Sequence, residues 1–225
     1  MKNKHIIFDD LLKALHQSGV LSHVTLIGSW CLPIYRAYFD NAPEIPILRT
    51  MDLDILVHKN LTLTYIIDVP KILNSFGFDE EFSHLDGHCK YVHPEIEVEF
   101  MVAEFGRGKS GPYNIKHLNV LAKGLRFMNI VTEHTITVMY MGIPIHVPDP
   151  AAFVLLKYLI STKRRDPAKK IKDLRAANEL GQFMFNDSAQ RKNIKVVFSS
   201  MHKKWQQTVL RVIKEQSSPL FNFLQ

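Results

Sequence analysis

Cysteine is almost missing from this chain: Cys31 and Cys89 stand far apart and form no CxxC pair. That excludes a zinc ribbon and a disulfide scaffold, and it fits a reducing, cytoplasmic setting. No apolar run reaches the roughly 18 residues of a transmembrane helix, so no membrane partner is expected. The start, Met1-Lys2-Asn3-Lys4-His5, is basic, but Asp9 and Asp10 break the apolar stretch behind it. A signal peptide is not expected there. No GxSxG occurs, no nucleophile–base set can be read from spacing, and there is no internal repeat or low-complexity tract. Acidic residues are scarce at one end. Residues 151–225 hold 15 basic and 5 acidic residues, a balance of +10, whereas 1–150 hold 13 and 17, a balance of −4. A basic half suits an anionic partner or a solvated helical surface.

What is present is ordinary globular material. With 225 residues and 46% hydrophobic content, there is room for one large core or two small ones. An amphipathic helix is expected over 5–17, with Ile7, Leu11, Leu12 and Leu15 on one side and Gly19 as its stop. A short buried strand follows at 24–27. Gly28-Ser29 makes a turn into a helix over 30–39, with Ser29 as N-cap and Pro33 in the early turns. Residues 40–50, with Pro43 and Pro46, read as a loop. A strand at 51–57, a helix at 69–76 stopped by Gly77, a strand or hairpin over 89–102 and a turn-rich loop over 106–112 come next. A last hairpin, 136–140 with 143–147, turns at Met141-Gly142. Then the texture changes. Asp149-Pro150 and Asp166-Pro167 each read as an N-cap followed by proline, opening helices over 151–162 and 168–180, the second closed by Gly181. A third helical stretch spans about 188–215. The expectation is an α+β protein: a mixed sheet with flanking helices over 1–147, then an all-helical basic domain over 148–225.

The chemistry sits on two strands. In 51–57, Met51, Leu53, Ile55 and Val57 take one face, while Asp52 and Asp54 share the other. In 96–100, Ile96, Val98 and Phe100 face one way and Glu97 and Glu99 the other. Strand residues two apart point the same way, about 6–7 Å apart along the strand. If the strands pair, several carboxylates converge, and like charges at that range repel unless cations neutralise them. Hard divalent ions with oxygen ligands, Mg²⁺ or Mn²⁺, answer that need. Spacing alone does not choose between Glu97 and Glu99. Gly28-Ser29 at a strand-to-helix turn suits a phosphate, since glycine lets the backbone approach and helix N–H groups face the anion. A capping serine is the plainer reading.

A GS turn, an acidic pair on the next strand and a third acid on a neighbour resembles the DNA polymerase β-like nucleotidyltransferase superfamily. The matching residues are Gly28, Ser29, Asp52, Asp54 and, by the following Phe100-Met101, Glu99. The 22 residues between Ser29 and Asp52 exceed the family's usual gap. The Gly28-Ser29-Trp30 turn is similar to that of uncharacterised bacterial nucleotidyltransferase-like proteins. Lys157, Arg164, Lys172 and Asp173 are similar to the later motifs of AbiEii-type toxins, although Lys170 replaces an arginine and a final aspartate is absent. The resemblance implies a nucleotidyltransferase fold and transfer of a nucleoside monophosphate from an NTP. Asp52, Asp54 and Glu99 would hold Mg²⁺ and do the catalysis. Gly28, Ser29, Lys157, Arg164, Lys172 and Asp173 would hold the nucleotide, and RNA such as tRNA, a protein or a small molecule would be the acceptor. The plainer readings are a snorkelling Lys157 and an Asp173 paired with Lys169. The rival functions are a catalytically silent nucleotide-sensing or partner-binding protein and a P-loop phosphohydrolase. The latter rests on the string from Ala103 to Ser110, which Gly111-Pro112 follows where a helix should begin. His84, His88, His93 and Cys89 match no standard zinc spacing and read as exposed polar histidines.

Overall fold

The computed structural model describes residues 6–39, 51–59, 61, 63–84 and 87–225. The expected loop over 40–50 lies outside these residues. The chain divides into two compact units. The first holds the described residues through Tyr38, those from 51 to 128, and Thr137–Val147; the second holds Phe39, Asn129–Ile136 and Pro148–Gln225.

The first unit opens with helix α1 (Ile6–Gln17). Leu11, Leu12 and Leu15 are fully buried, and Phe8 stacks on Trp30 with ring centroids 4.0 Å apart. Strand β1 (Val24–Ile27) is buried at every residue. The chain then makes a 3-10 turn over Gly28–Trp30 before helix α2 (Cys31–Tyr38). The expected helix with a Ser29 cap is therefore corrected. Gly28 takes φ +73°, a left-handed conformation that turns the chain sharply and suits glycine. The first turn tightens and Ser29 lies within it. Strand β2 (Asp52–Val57), helix α3 (Val69–Ser75) and strand β3 (Asp79–Phe82) follow. Asp68 caps α3 by accepting from Lys71 N, and Gly77 at φ +82° ends the segment. Strands β4 (Cys89–Val92) and β5 (Glu97–Ala103) form the expected hairpin, closed between His93 and Ile96. Strands β6 (Tyr113–Ile115) and β7 (Val120–Leu125) complete the sheet.

Strand β5 is central. Strand β2 runs parallel along one edge; on the other, β4 pairs antiparallel with its first half and β7 parallel with its second. The main path is β1-β2-β5-β4-β3, the mixed sheet expected. Leu53, Ile55, Val98 and Phe100 fill its buried face. Strand β3 had no sequence signal because all four of its residues are exposed; it is an acidic edge strand.

Helix α4 (Asn129–Glu133) precedes the two-stranded hairpin of β8 (Thr135–Tyr140) and β9 (Ile143–Pro148). Its turn puts Met141 at φ 51° and Gly142 at φ 76°, the positive pair that matches strand twist in a two-residue loop. The second unit is built on helix α5 (Pro150–Ser161), buried at all positions but Ile160. Asp149 caps it, accepting from Ala151 N at 2.8 Å, and also accepts from Asn193 Nδ2 at 2.9 Å. Helix α6 (Pro167–Asn186) does not stop at Gly181. That residue is where α6 comes close to its neighbours: a Cβ there would stand 3.2 Å from Leu220 and 3.3 Å from Val154. The single helix expected over 188–215 is two, α7 (Ser188–Ser200) and α8 (Lys203–Glu215), before the short α9 (Leu220–Leu224). Met201 is extended and His202 caps α8 by accepting from Lys204 N. The apolar spacing runs through the break because both helices pack against α5.

Gly181→Val tests the close approach. Alanine would regain about 1 kcal/mol of helix propensity against a tight contact; valine adds branched bulk that the site cannot take. Urea unfolding should show Gly181→Val about 1–3 kcal/mol less stable, and an unchanged midpoint would mean that the helices part freely.

Candidate functional site

Register decides which acids meet. Across the parallel pair, Asp52 stands beside Glu97 and Asp54 beside Glu99. Neighbouring strands lie about 4.8 Å apart, so four carboxylates share one patch of one sheet face. All four are half-buried, while the alternate residues Leu53 and Val98 are fully buried beneath them. The antiparallel neighbour β1 brings Ile27 opposite Asp54, so Gly28 follows at the carboxylate. A Cβ on Gly28 would overlap the Asp54 carboxyl group. Glycine is thus needed twice, for its left-handed φ and for that approach.

Sequence reasoning missed the fifth member, Lys90. It lies opposite Glu99 across β4–β5, and its ammonium is 2.7 Å from Glu97 Oε2 and 3.0 Å from Glu99 Oε1. Burial disfavours its charge, but the bonds to Glu97 and Glu99 outweigh that and raise its pKa. The signal was available. In a hairpin closed at His93 and Ile96, counting outward pairs Val92 with Glu97, leaving Lys90 opposite Glu99. Asp52 has no ion-pair partner among the described residues.

The described residues contain no group of three or more His, Cys, Asp or Glu placed to hold a metal ion. Glu97 and Glu99 are held by Lys90 instead. Asp52 and Asp54 still offer what Mg²⁺ takes from proteins, one or two carboxylates with phosphates and water supplying the rest. The donor chemistry and the Gly28 approach fit such an ion on those two residues.

The basic-half candidates gather elsewhere, in the second unit. Lys157 Nζ lies 2.6 Å from Asp173 Oδ1, and Arg164 Nε lies 2.6 Å from Asp173 Oδ2. The Lys157 and Asp173 side chains are 8% and 4% exposed, against 38% for Arg164. Asp173 thus answers to Lys157 and Arg164, not to Lys169, and Lys157 is interior rather than snorkelling. Lys172, beside them on α6, is half-buried.

The P-loop string holds an anion of its own. Lys109 N donates to Glu104 Oε1 at 3.2 Å, Tyr113 donates to the same oxygen at 3.2 Å, and Arg126 Nε is 3.7 Å from Oε2. No helix begins at Lys109-Ser110. His84 is exposed and His93 packs on Phe78, but His88 is buried, which corrects its reading as exposed. Burial also raises the Cys89 thiol, to about 11.

A family model described as nucleotidyltransferase matches residues 8–214. Among solved structures, an antigenic nucleotidyltransferase-like protein from Paracoccidioides brasiliensis is 13% identical, with 96% of this chain and 92% of that one covered at a TM-score of 0.48. The antibiotic-resistance factor ANT(2'')-Ia is 11% identical, with 86% and 90% covered at 0.41. No curated protein matches.

The buried Lys157–Asp173 pair makes a stability prediction. Asp173→Ala leaves the Lys157 ammonium interior and unanswered, and urea unfolding should register a loss of about 3–5 kcal/mol. Lys157→Met with Asp173→Leu should come back close to the parent protein. A single variant as stable as the parent would show that the pair is not what holds α5 to α6.

Proposed function

The chain belongs to the nucleotidyltransferase family, and on that footing we propose that its first unit moves a nucleoside monophosphate from an NTP to an acceptor hydroxyl, with Mg²⁺. One observation carries this reading: the β2–β5 register, which stands Asp52 and Asp54 beside Glu97 and Glu99 with Gly28 against Asp54. In the reaction the acceptor oxygen bonds to the α-phosphorus, the bond from that phosphorus to the β-phosphate oxygen breaks, and pyrophosphate leaves. Asp52 and Asp54 hold the divalent ion, which when bound polarises the phosphoryl oxygens and offsets the developing charge. The Gly28-Ser29 turn supports the phosphates with backbone N–H groups and the Ser29 hydroxyl. Glu99, in register with Asp54, orients the acceptor hydroxyl and receives its proton. Catalysis here is positioning and electrostatics.

A second reading, nucleotide binding without turnover, is favoured by the Lys90 pairs on Glu97 and Glu99. Pyrophosphate release separates the two. With each NTP, Mg²⁺ and a cell extract as acceptor source, the protein should release pyrophosphate and label one acceptor class. Asp54→Asn should slow this at least about 100-fold, or about 2.7 kcal/mol. Tight NTP binding with no release under any condition would leave the silent reading standing.

For the acceptor we assign RNA, on the +10 balance of residues 151–225. Each phosphate neutralised releases counterions, so affinity should fall linearly on a log–log plot against salt. Filter binding at two salt concentrations checks this. Absence of RNA binding at low salt, with NTP binding intact, would point to a protein or small-molecule acceptor.

A further inference from the structure

Lys90, Glu99 and Asp54 occupy successive rungs across β4, β5 and β2 on one sheet face. This row is set by the backbone register rather than by one side-chain rotamer. Lys90 contacts both acids of β5, at 2.7 Å and 3.0 Å, and Glu99 is the more enclosed of the two, 13% exposed against 25%. A second divalent ion on the β5 side would have to share Glu99 with an ammonium already bound to it, at a distance where like charges repel. Two-ion phosphoryl-transfer sites place their ions about 3.5–4 Å apart on shared carboxylates, and here the β5 side of such a site is already taken.

We propose that Lys90 is a positioning residue that serves as the fixed acceptor-side cation, holding Glu97 and Glu99 so that the site works with a single divalent ion on Asp52 and Asp54. This rests on the nucleotidyl-transfer reading above. Its consequence is a division of labour: the mobile ion comes with the triphosphate, while the charge beside the acceptor is built into the chain. Removing Lys90 frees two half-buried carboxylates next to Asp54, which then form the second ion site.

Counting bound Mn²⁺ tests it without reference to turnover. The full chain is titrated with Mn²⁺ in the presence of the α,β-methylene analogue of ATP, with bound ion counted by electron paramagnetic resonance and calorimetry. Expected are one Mn²⁺ per wild-type complex, one for Lys90→Arg, and two for Lys90→Met, with spin coupling between the pair in the last. Two ions in the wild type overturn the proposal, and that count stands by itself should Lys90→Met fail to fold. One ion in both wild type and a folded Lys90→Met overturns it too, because Lys90 would not be what limits the number. No bound Mn²⁺ in the wild type would instead bring down the Asp52–Asp54 ion site itself, and the proposal with it.

Discussion

Everything in the first unit turns on a like-charge problem created by strand register. Pairing β2 parallel to β5 buries Leu53, Ile55, Val98 and Phe100 on one face, and the period of two then forces Asp52, Asp54, Glu97 and Glu99 together on the other. A slip of one residue would put the carboxylates into the core, so the sheet cannot relieve the repulsion by sliding. The relief has to come from cations. Among the described residues Lys90 supplies one, from β4, which pairs with β5 on the side away from β2. Asp52 and Asp54 lie on the β2 side, next to the left-handed turn at Gly28. The proposed site for a divalent ion and a phosphate chain rests on this arrangement.

The second unit solves a related problem with a different outcome. Asp173 is nearly fully buried, and so is Lys157. Two charges taken out of water cost more than their attraction returns unless geometry is close and the remaining valences are met. Here each Asp173 oxygen has its own partner, Lys157 on one and Arg164 on the other. Arg164 keeps part of its guanidinium in solvent, which lowers the desolvation cost at that end. The triad joins α5, the segment after it and α6, so its first effect is on how these helices are held.

The sequence was most legible where periodicity and capping act locally. The strand at β2, the β4–β5 hairpin, the Asp149-Pro150 and Asp166-Pro167 helix starts and the Met141-Gly142 turn all follow from chemistry within a few residues. It misled where tertiary contacts override local signals. Gly181 reads as a stop, yet it lies mid-helix because Val154 and Leu220 come too near for a side chain. The break at Met201 is invisible because α7 and α8 continue one apolar pattern. Strand β3 carries no apolar residue facing inward, so no alternation marks it. For the site, the acids were legible because they share a strand face. Lys90 was missed because its role emerges only when the hairpin register is counted outward from His93 and Ile96. Glu97 and Glu99 were hard to separate for a sound reason: the register gives each an aspartate neighbour, and one lysine binds both.

Leaving aside the helix-surface pairs Asp10–Lys13 and Glu179–Arg175, three carboxylate sites among the described residues hold built-in cations, and their exposure separates what each can do. Asp173, 4% exposed, is saturated by two cations and inaccessible. Glu104, 14% exposed, is wrapped by the loop that mimics a phosphate-binding string: a Cβ at Gly108 or Gly124 would stand about 2.4–2.5 Å from its carboxyl group. Gly108 of that loop and Gly124 of β7 make room for a carboxylate of the chain's own, which is why the motif can match without a nucleotide site. Glu97 and Glu99 differ from both. Their single lysine is about one-third exposed, they adjoin two further acids, and solvent reaches the patch. An internal cation that fully answers its acids makes structure. One that answers two of four acids, on a half-buried sheet face, leaves room beside them for a cation from outside.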